Sequence, residues 1–312
     1  KKHSRRFIGI EEKFVRTYTE VKMIKNHQTA MFGPSGHDEQ FAKDGLSATL
    51  QMPKWLSEKG LDLFEYSFGK GVRISDATAE AIGDVSDKYG IEISVHAPYF
   101  INFASVEQEK ADNSINYLTS SLKALRHFHG QRCVFHPGAE GKQPRNEAFA
   151  RTLDNFSRAL DVIKENGDDD LIVCPETMGK QAQIGTVKEV IELCKLAPNV
   201  YPCVDFGHVN SLWGGALKTA DDFQRIIDDM FDGIGEEKTK NMHVHFSKIM
   251  YGAKGEIKHL TFADNIYGPE FEPLCEVIVK NNLTPHVLSE SAGTQMFDSL
   301  YMKEKYESMM QN

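Results

Sequence analysis

Several common chemistries are missing from this 312-residue chain. Its five cysteines, at 133, 174, 194, 203 and 275, contain no C-x-x-C pair and are odd in number. That excludes a disulfide framework and a zinc ribbon, and it reads as reduced, buried thiols of a cytoplasmic protein. No apolar run approaches the roughly 20 residues that span a bilayer, so no membrane partner is expected. The basic start, Lys1, Lys2, His3, Ser4, Arg5 and Arg6, is not followed by an apolar signal-peptide core. No G-x-G-x-x-G follows the first β-rich run, which removes the usual support for an open dinucleotide-binding sheet. There is no low-complexity segment and no evident interdomain linker. Positive charge is also short, with a formal net charge of −9. This argues against nucleic acid until metals are considered, because three divalent ions would bring it to about −3.

What is present is alternation. Short β-rich runs at 29–32, 61–66, 92–96, 132–136, 171–176, 200–205, 241–245 and 286–290 recur about one βα unit apart. Between them, 115–129, 147–164, 187–196, 220–231 and 271–281 carry helical periodicity. Eight strands in one series predict an α/β fold, a closed (β/α)8 TIM barrel, over residues 28–312 as a single domain. Residues 1–27 form an N-terminal extension, with Phe7, Ile10, Phe14, Tyr18 and Val21 at the spacing of one amphipathic helix.

Barrel active sites stand at the C-terminal strand ends. There the third to eighth strands present His96, His136, Glu176, Asp205 with His208, His243, and Glu290. Any one of these could be a polar strand cap. Six of them around one mouth would place carboxylates against each other at high cost without cations. Imidazole with carboxylate suits zinc, with manganese or iron as substitutes. His245 shares the strand face of His243 and is read as a partner of a ligand or as packed core. His127 and His129 near a helix C-terminus read as structural, and Asp168, Asp169 and Asp170 as a solvated loop.

These segments resemble the endonuclease IV family of zinc-dependent apurinic/apyrimidinic endonucleases, from about residue 60 to 292. His96-Ala97-Pro98-Tyr99-Phe100-Ile101-Asn102 is similar to its H-x-x-Y-hydrophobic-I-N motif, and His136-Pro137-Gly138 to its second histidine segment. Cys203-Val204-Asp205-Phe206-Gly207-His208 fits C-x-D-x-x-H, while Met242-His243 through Ser247-Lys248 and Glu290 fit the later ligand segments. The resemblance implies that His96 and His136 hold a first zinc, bridged by Glu176 to a second held by Asp205, His243 and Glu290. It implies a third zinc on His208. There the chain departs from the family's Asp-Arg-His, offering Glu256 and, one residue late, His259. His245 and Phe246 also replace the pair expected after His243, which marks a divergent branch.

The implied activity is hydrolysis of DNA 5′ to abasic sites by a monomer using two or three zinc ions, with Glu176 and Glu290 orienting the nucleophile. The implied partner is double-stranded DNA carrying an abasic site, met by Lys70, Arg73, Tyr99 and Asn102. A basic rim of Lys142, Arg145, Lys180, Lys218, Lys248, Lys254 and Lys258 would track phosphates. Two rival readings stand beside it. Glu176, Asp205, His243 and Glu290 alone would match a single-metal sugar isomerase or epimerase, and an altered third site would suit a binder of abasic DNA that does not cleave.

Overall fold

The computed structural model describes residues 27–311. The helix expected within 1–27 therefore lies outside the described residues. In chain order come β1 (Met31–Pro34), α1 (Glu39–Lys43), α2 (Met52–Glu58), β2 (Leu63–Ser67), α3 (Asp76–Tyr89) and β3 (Glu92–His96). Next are α4 (Gln108–His127), β4 (Arg132–Phe135), β5 (Gly138–Ala139), α5 (Arg145–Glu165), β6 (Ile172–Pro175), β7 (Gln183–Ile184) and α6 (Val187–Cys194). β8 (Cys203–Asp205), α7 (Phe206–Leu212), α8 (Ala220–Lys240), β9 (His243–Phe246), β10 (Ile249–Gly252) and β11 (Gly255–His259) follow. α9 (Phe271–Lys280), β12 (His286–Ser289) and α10 (Gln295–Met310) complete the chain.

Parallel ladders run β2-β3-β4-β6 and β8-β9-β12-β1. Parallel bridges Ser35–Glu65, Val173–Val200 and Glu176–Cys203 join the two sheets. The eight parallel strands thus close into the (β/α)8 barrel expected from their spacing. The β1–β2 seam is tight enough to require glycine. A Cβ at Gly33 would meet the Leu63 carbonyl oxygen at 1.9 Å.

The helices form where the local chemistry favours them. Ser75 caps α3 and Gly90, at φ 70°, ends it. Thr186 and Glu189 make a capping box at α6. α8 continues past the expected 220–231 because Gly235, at φ 81° and ψ 178°, lets the chain kink and resume. Apolar residues such as Phe135, Phe156, Phe206 and Phe223 are fully buried between strands and helices.

Two short antiparallel pairs, β5 with β7 and the β10/β11 hairpin, had no counterpart in the periodicity. Both rise from the C-terminal side of the barrel. They give this end a second tier of backbone on which side chains can be hung.

Candidate metal centre

Strand alternation sends every second residue into the barrel. His96 ends β3, His136 follows β4, Glu176 follows β6, Asp205 ends β8 and Glu290 follows β12. His96 Nε2 and His136 Nε2 stand 3.1 and 3.0 Å from the same oxygen, Glu176 Oε2, with rings at 87°. His96 Nδ1–H donates to the Ala97 carbonyl at 2.9 Å, which leaves Nε2 free to face the carboxylate.

The other Glu176 oxygen, Oε1, lies 3.0 Å from His245 Nδ1, and His245 Nδ1 lies 3.4 Å from Glu290 Oε1. Glu176, Asp205, His245 and Glu290 bring one ligand atom each within 4.8 Å of one another. The sequence had placed His243 here, and the structure corrects that. His245 pairs with Asp205 at the mouth, whereas His243 pairs with Cys203 one layer deeper. Both point inward, and register alone decides which of them reaches the mouth.

A third group comprises His208, Glu256 and His259. His208 lies in the first turn of α7, where Asp205 is the N-cap and accepts from the His208 amide at 2.7 Å. Its Nδ1–H donates to the Thr177 carbonyl at 2.9 Å, and Nε2 lies 3.5 Å from Glu256 Oε2. His259 Nε2 is 3.9 Å from Glu256 Oε1, and its Nδ1 is 3.9 Å from Glu290 Oε2. The displaced Glu256 and His259 thus meet His208 despite their altered spacing. The β10/β11 hairpin makes this possible by docking on the loop after β6. The Glu256 amide donates to the Gly179 carbonyl at 2.9 Å, and a Cβ at Gly179 would come within 2.8 Å of the Glu256 Cβ.

The electrostatics suit cations. Glu176 and Asp205 are fully buried. Burial opposes ionisation of Glu176, but His245 and His136 hold it well below the usual carboxylate range. Burial pushes Asp205 up to about 6, with Glu290 and Glu176 adding to the rise. Burial acts against a charged His208, yet Asp205 and Glu176 lift it to about 10. Asp205 Oδ2 is buried with no hydrogen-bond partner among the described residues, its nearest imidazole nitrogen being His208 Nδ1 at 3.4 Å. An orphaned carboxylate oxygen beside two further carboxylates is costly unless a cation completes it. The donor set, imidazole with carboxylate, fits divalent zinc-type ions in all three groups.

Strand-end reasoning missed Glu65, which is fully buried beneath this cluster. Its Oε1 lies 2.8 Å from His245 Nε2 and accepts from Ser35 Oγ at 3.0 Å. Its Oε2 accepts from His243 Nε2–H and Ser94 Oγ, both at 2.9 Å. Burial opposes a charged Glu65, but His245 and His243 hold it well below the usual range, while burial pushes His243 down to about 4. An acidic residue on the inward face of a strand was the available signal.

Around the mouth, Tyr99 is 58% exposed, with its ring 5.5 Å from His96 and 5.4 Å from His136. Lys70 and Arg73 are exposed and line one cleft, of about 250 Å³, with Tyr66 and Phe68. Two expectations need correction. Asn102 spends its Oδ1 accepting from the Ala104 and Ala139 amides, both at 3.1 Å, which ties two loops together. Lys248 is buried and donates to the Asp264 carbonyl and to Glu270, both at 2.8 Å, so it leaves the basic rim. Arg145 is likewise paired with Glu189 at 2.7 Å.

Residues 53–282 match the family described as xylose isomerase-like TIM barrel, and the chain belongs to that family. Among relatives, an uncharacterized protein of Methanocaldococcus jannaschii is 34% identical over 256 residues, 81% of this chain and 90% of its own length. The "Probable endonuclease 4" of Mycoplasma pneumoniae is 28% identical across 67% of this chain and 72% of its own length. Two solved structures share the fold. A D-tagatose 3-epimerase-like protein has a TM-score of 0.68 at 19% identity, covering 90% of this chain and 98% of that one. Endonuclease IV from Thermus thermophilus has a TM-score of 0.66 at 17% identity, covering 89% and 99%. The same fold is thus seen in an endonuclease and in an epimerase-like protein, and fold alone does not choose between them. Among the described residues no helix is long and apolar enough to cross a membrane.

Proposed function

We propose that this protein is a metal-dependent phosphodiesterase that cuts duplex DNA 5′ to abasic sites, using two or three zinc-type ions at the barrel mouth. The observation that carries this reading is the surplus of donors. Three contiguous groups stand there, the first two sharing Glu176 and the second and third meeting at Glu290. A single-metal isomerase needs only one of them.

Divalent ions held there would acidify a water and offset charge on the attacked phosphate. The chain's own residues supply the rest. Glu290, with 19% of its side chain exposed, is the carboxylate of the second group that reaches solvent, and it is placed to take a proton from the attacking water. Tyr99 covers the His96–His136 edge and gives the sugar–phosphate backbone a surface to lie on. Exposed Lys70 and Arg73 meet phosphates further along the duplex. An abasic nucleotide is cheap to extrude because no base pair is lost.

A sugar epimerase is the second reading, favoured by the Glu176–Asp205–His245–Glu290 group, which would serve a single metal with two glutamates moving protons. A non-cleaving binder of abasic DNA is the third outcome. Metal counting joined to nicking of a duplex with one abasic site separates them. The expected result is two or three mouth ions and nicking that falls about 10²-fold or more in Glu290→Gln. One mouth ion with ketose turnover overturns the proposal, tight binding without cleavage favours the binder, and undiminished nicking removes Glu290 from the mechanism.

A further inference from the structure

At the opposite end of the barrel, His27, Glu92 and His286 form a triad with no part in the mouth chemistry. Glu92 opens β3 and His286 opens β12, each four residues before a mouth residue of the same strand face, His96 and Glu290. His27 arrives from the segment that enters β1. Its Nε2 lies 3.1 Å from each Glu92 oxygen, and His286 Nε2 lies 3.1 Å from Glu92 Oε2. The two imidazoles are 5.3 Å apart and inclined at 80°.

This repeats the arrangement of His96, His136 and Glu176, in which two Nε2 atoms stand 3.0 and 3.1 Å from one carboxylate and the rings lie 4.8 Å apart at 87°. Ligand atoms bound at about 2.0–2.1 Å around a tetrahedral ion are separated by roughly 3.3 Å, so both triads are close to the edges of such a polyhedron. His286 is more than nine-tenths buried and turns its Nε2 to the carboxylate that His27 also faces. Arg132, buried at the same end, donates to the Asn241 carbonyl at 2.7 Å, and its charge also reaches Glu92 and His286.

We propose that His27, Glu92 and His286 form a separate metal site that takes one zinc-type divalent ion through two imidazoles and a carboxylate. The ion clamps the segment leading into β1 onto the barrel floor, linking residues far apart in the chain. Its role is structural, since binding energy gained only in the folded state adds to folding stability.

The test compares zinc content per chain in wild type, His27→Ala and Glu92→Gln after dialysis against zinc and removal of loosely held metal. His27 is partly exposed, so its replacement leaves the core intact. Each variant is expected to carry one zinc fewer than wild type, and the rise in Tm on adding zinc to chelated protein should shrink. Nicking of the abasic duplex by His27→Ala should stay within about twofold of wild type. The reading is a difference between chains, so it holds whether or not the mouth ions are as proposed. Unchanged zinc content in both variants would overturn the site and leave a hydrogen-bonded staple in its place.

Discussion

The mouth and the floor of this barrel carry nearly the same donor triad in different surroundings. At the mouth, Glu176 and its two histidines adjoin Asp205, Glu290, Glu256 and three further imidazoles, those of His208, His245 and His259, near an exposed Tyr99. At the floor, Glu92 is the only carboxylate of its triad, and the adjoining cavity, lined by Glu92, Arg132 and His286, measures about 30 Å³. That is room for about one water molecule and none for a substrate. The lesson is that donor geometry sets where an ion can sit, while access and neighbouring charge set what it can do there. A closed floor suits a structural ion and an open, carboxylate-rich mouth suits a catalytic one.

The largest effect should come from Glu176→Gln, because this buried residue turns one oxygen to each of two mouth groups. Zinc content should fall by two, and nicking of an abasic duplex should drop more than about 10³-fold, equivalent to several kcal/mol of lost transition-state stabilisation. The zinc attributable to the floor should stay. Loss of the floor ion together with the mouth ions would break the comparison, since it would make the two ends one cooperative unit.

A smaller effect is expected for Glu65→Gln. Glu65 lies between the inner histidine His243 and the mouth histidine His245, so it fixes the ring that offers Nδ1 to the cluster. Carboxylates behind a metal-binding imidazole typically matter by roughly 10- to 100-fold in affinity. Chelator competition on the purified protein should show a mouth zinc weakened by about that factor, with circular dichroism and floor zinc unchanged. Unaltered affinity would mean that Glu65 serves the fold alone.

Much of the mouth was legible in the sequence because strand ends carry their own signal. His96, His136, Glu176, Asp205 and Glu290 each follow a short β-rich run, and a closed barrel must bring such ends together. What failed was the depth of the layers. His243 and His245 share one face, so alternation cannot rank them, and the register of β9 against β8 is a tertiary fact. Glu65 and His286 lie inside strands or at their starts, where a search of strand ends does not look. The β10/β11 hairpin escaped because its strands are short and β11 carries exposed Ile257 and Lys258 side by side rather than an apolar alternation. Asn102 looked like a surface contact because its motif position says nothing of the two amides that occupy it.

The smallest effect concerns a histidine cluster near the floor that should not bind metal at all. His129 Nδ1 lies 2.8 Å from Asp87 and its Nε2 lies 3.1 Å from Glu80, which pins the end of α4 to α3. Burial opposes charge on His129, but Glu80 and Asp87 outweigh it and raise its pKa above the ordinary value of 6.5. A histidine raised on folding gives stability that is complete below its unfolded pKa and disappears as pH climbs through the folded one. His129→Gln should therefore lower Tm by about 1–2 °C at pH 5.5, a modest figure because both carboxylates reach solvent and the pairs are screened. At about pH 9 the deficit should largely vanish, and zinc content should match wild type at both values. A deficit that grew with pH, or a zinc lost with His129, would show that imidazole beside carboxylate near this floor is enough to hold an ion, and that the two-nitrogen, one-carboxylate edge geometry of His27, Glu92 and His286 is not what sets the floor site apart.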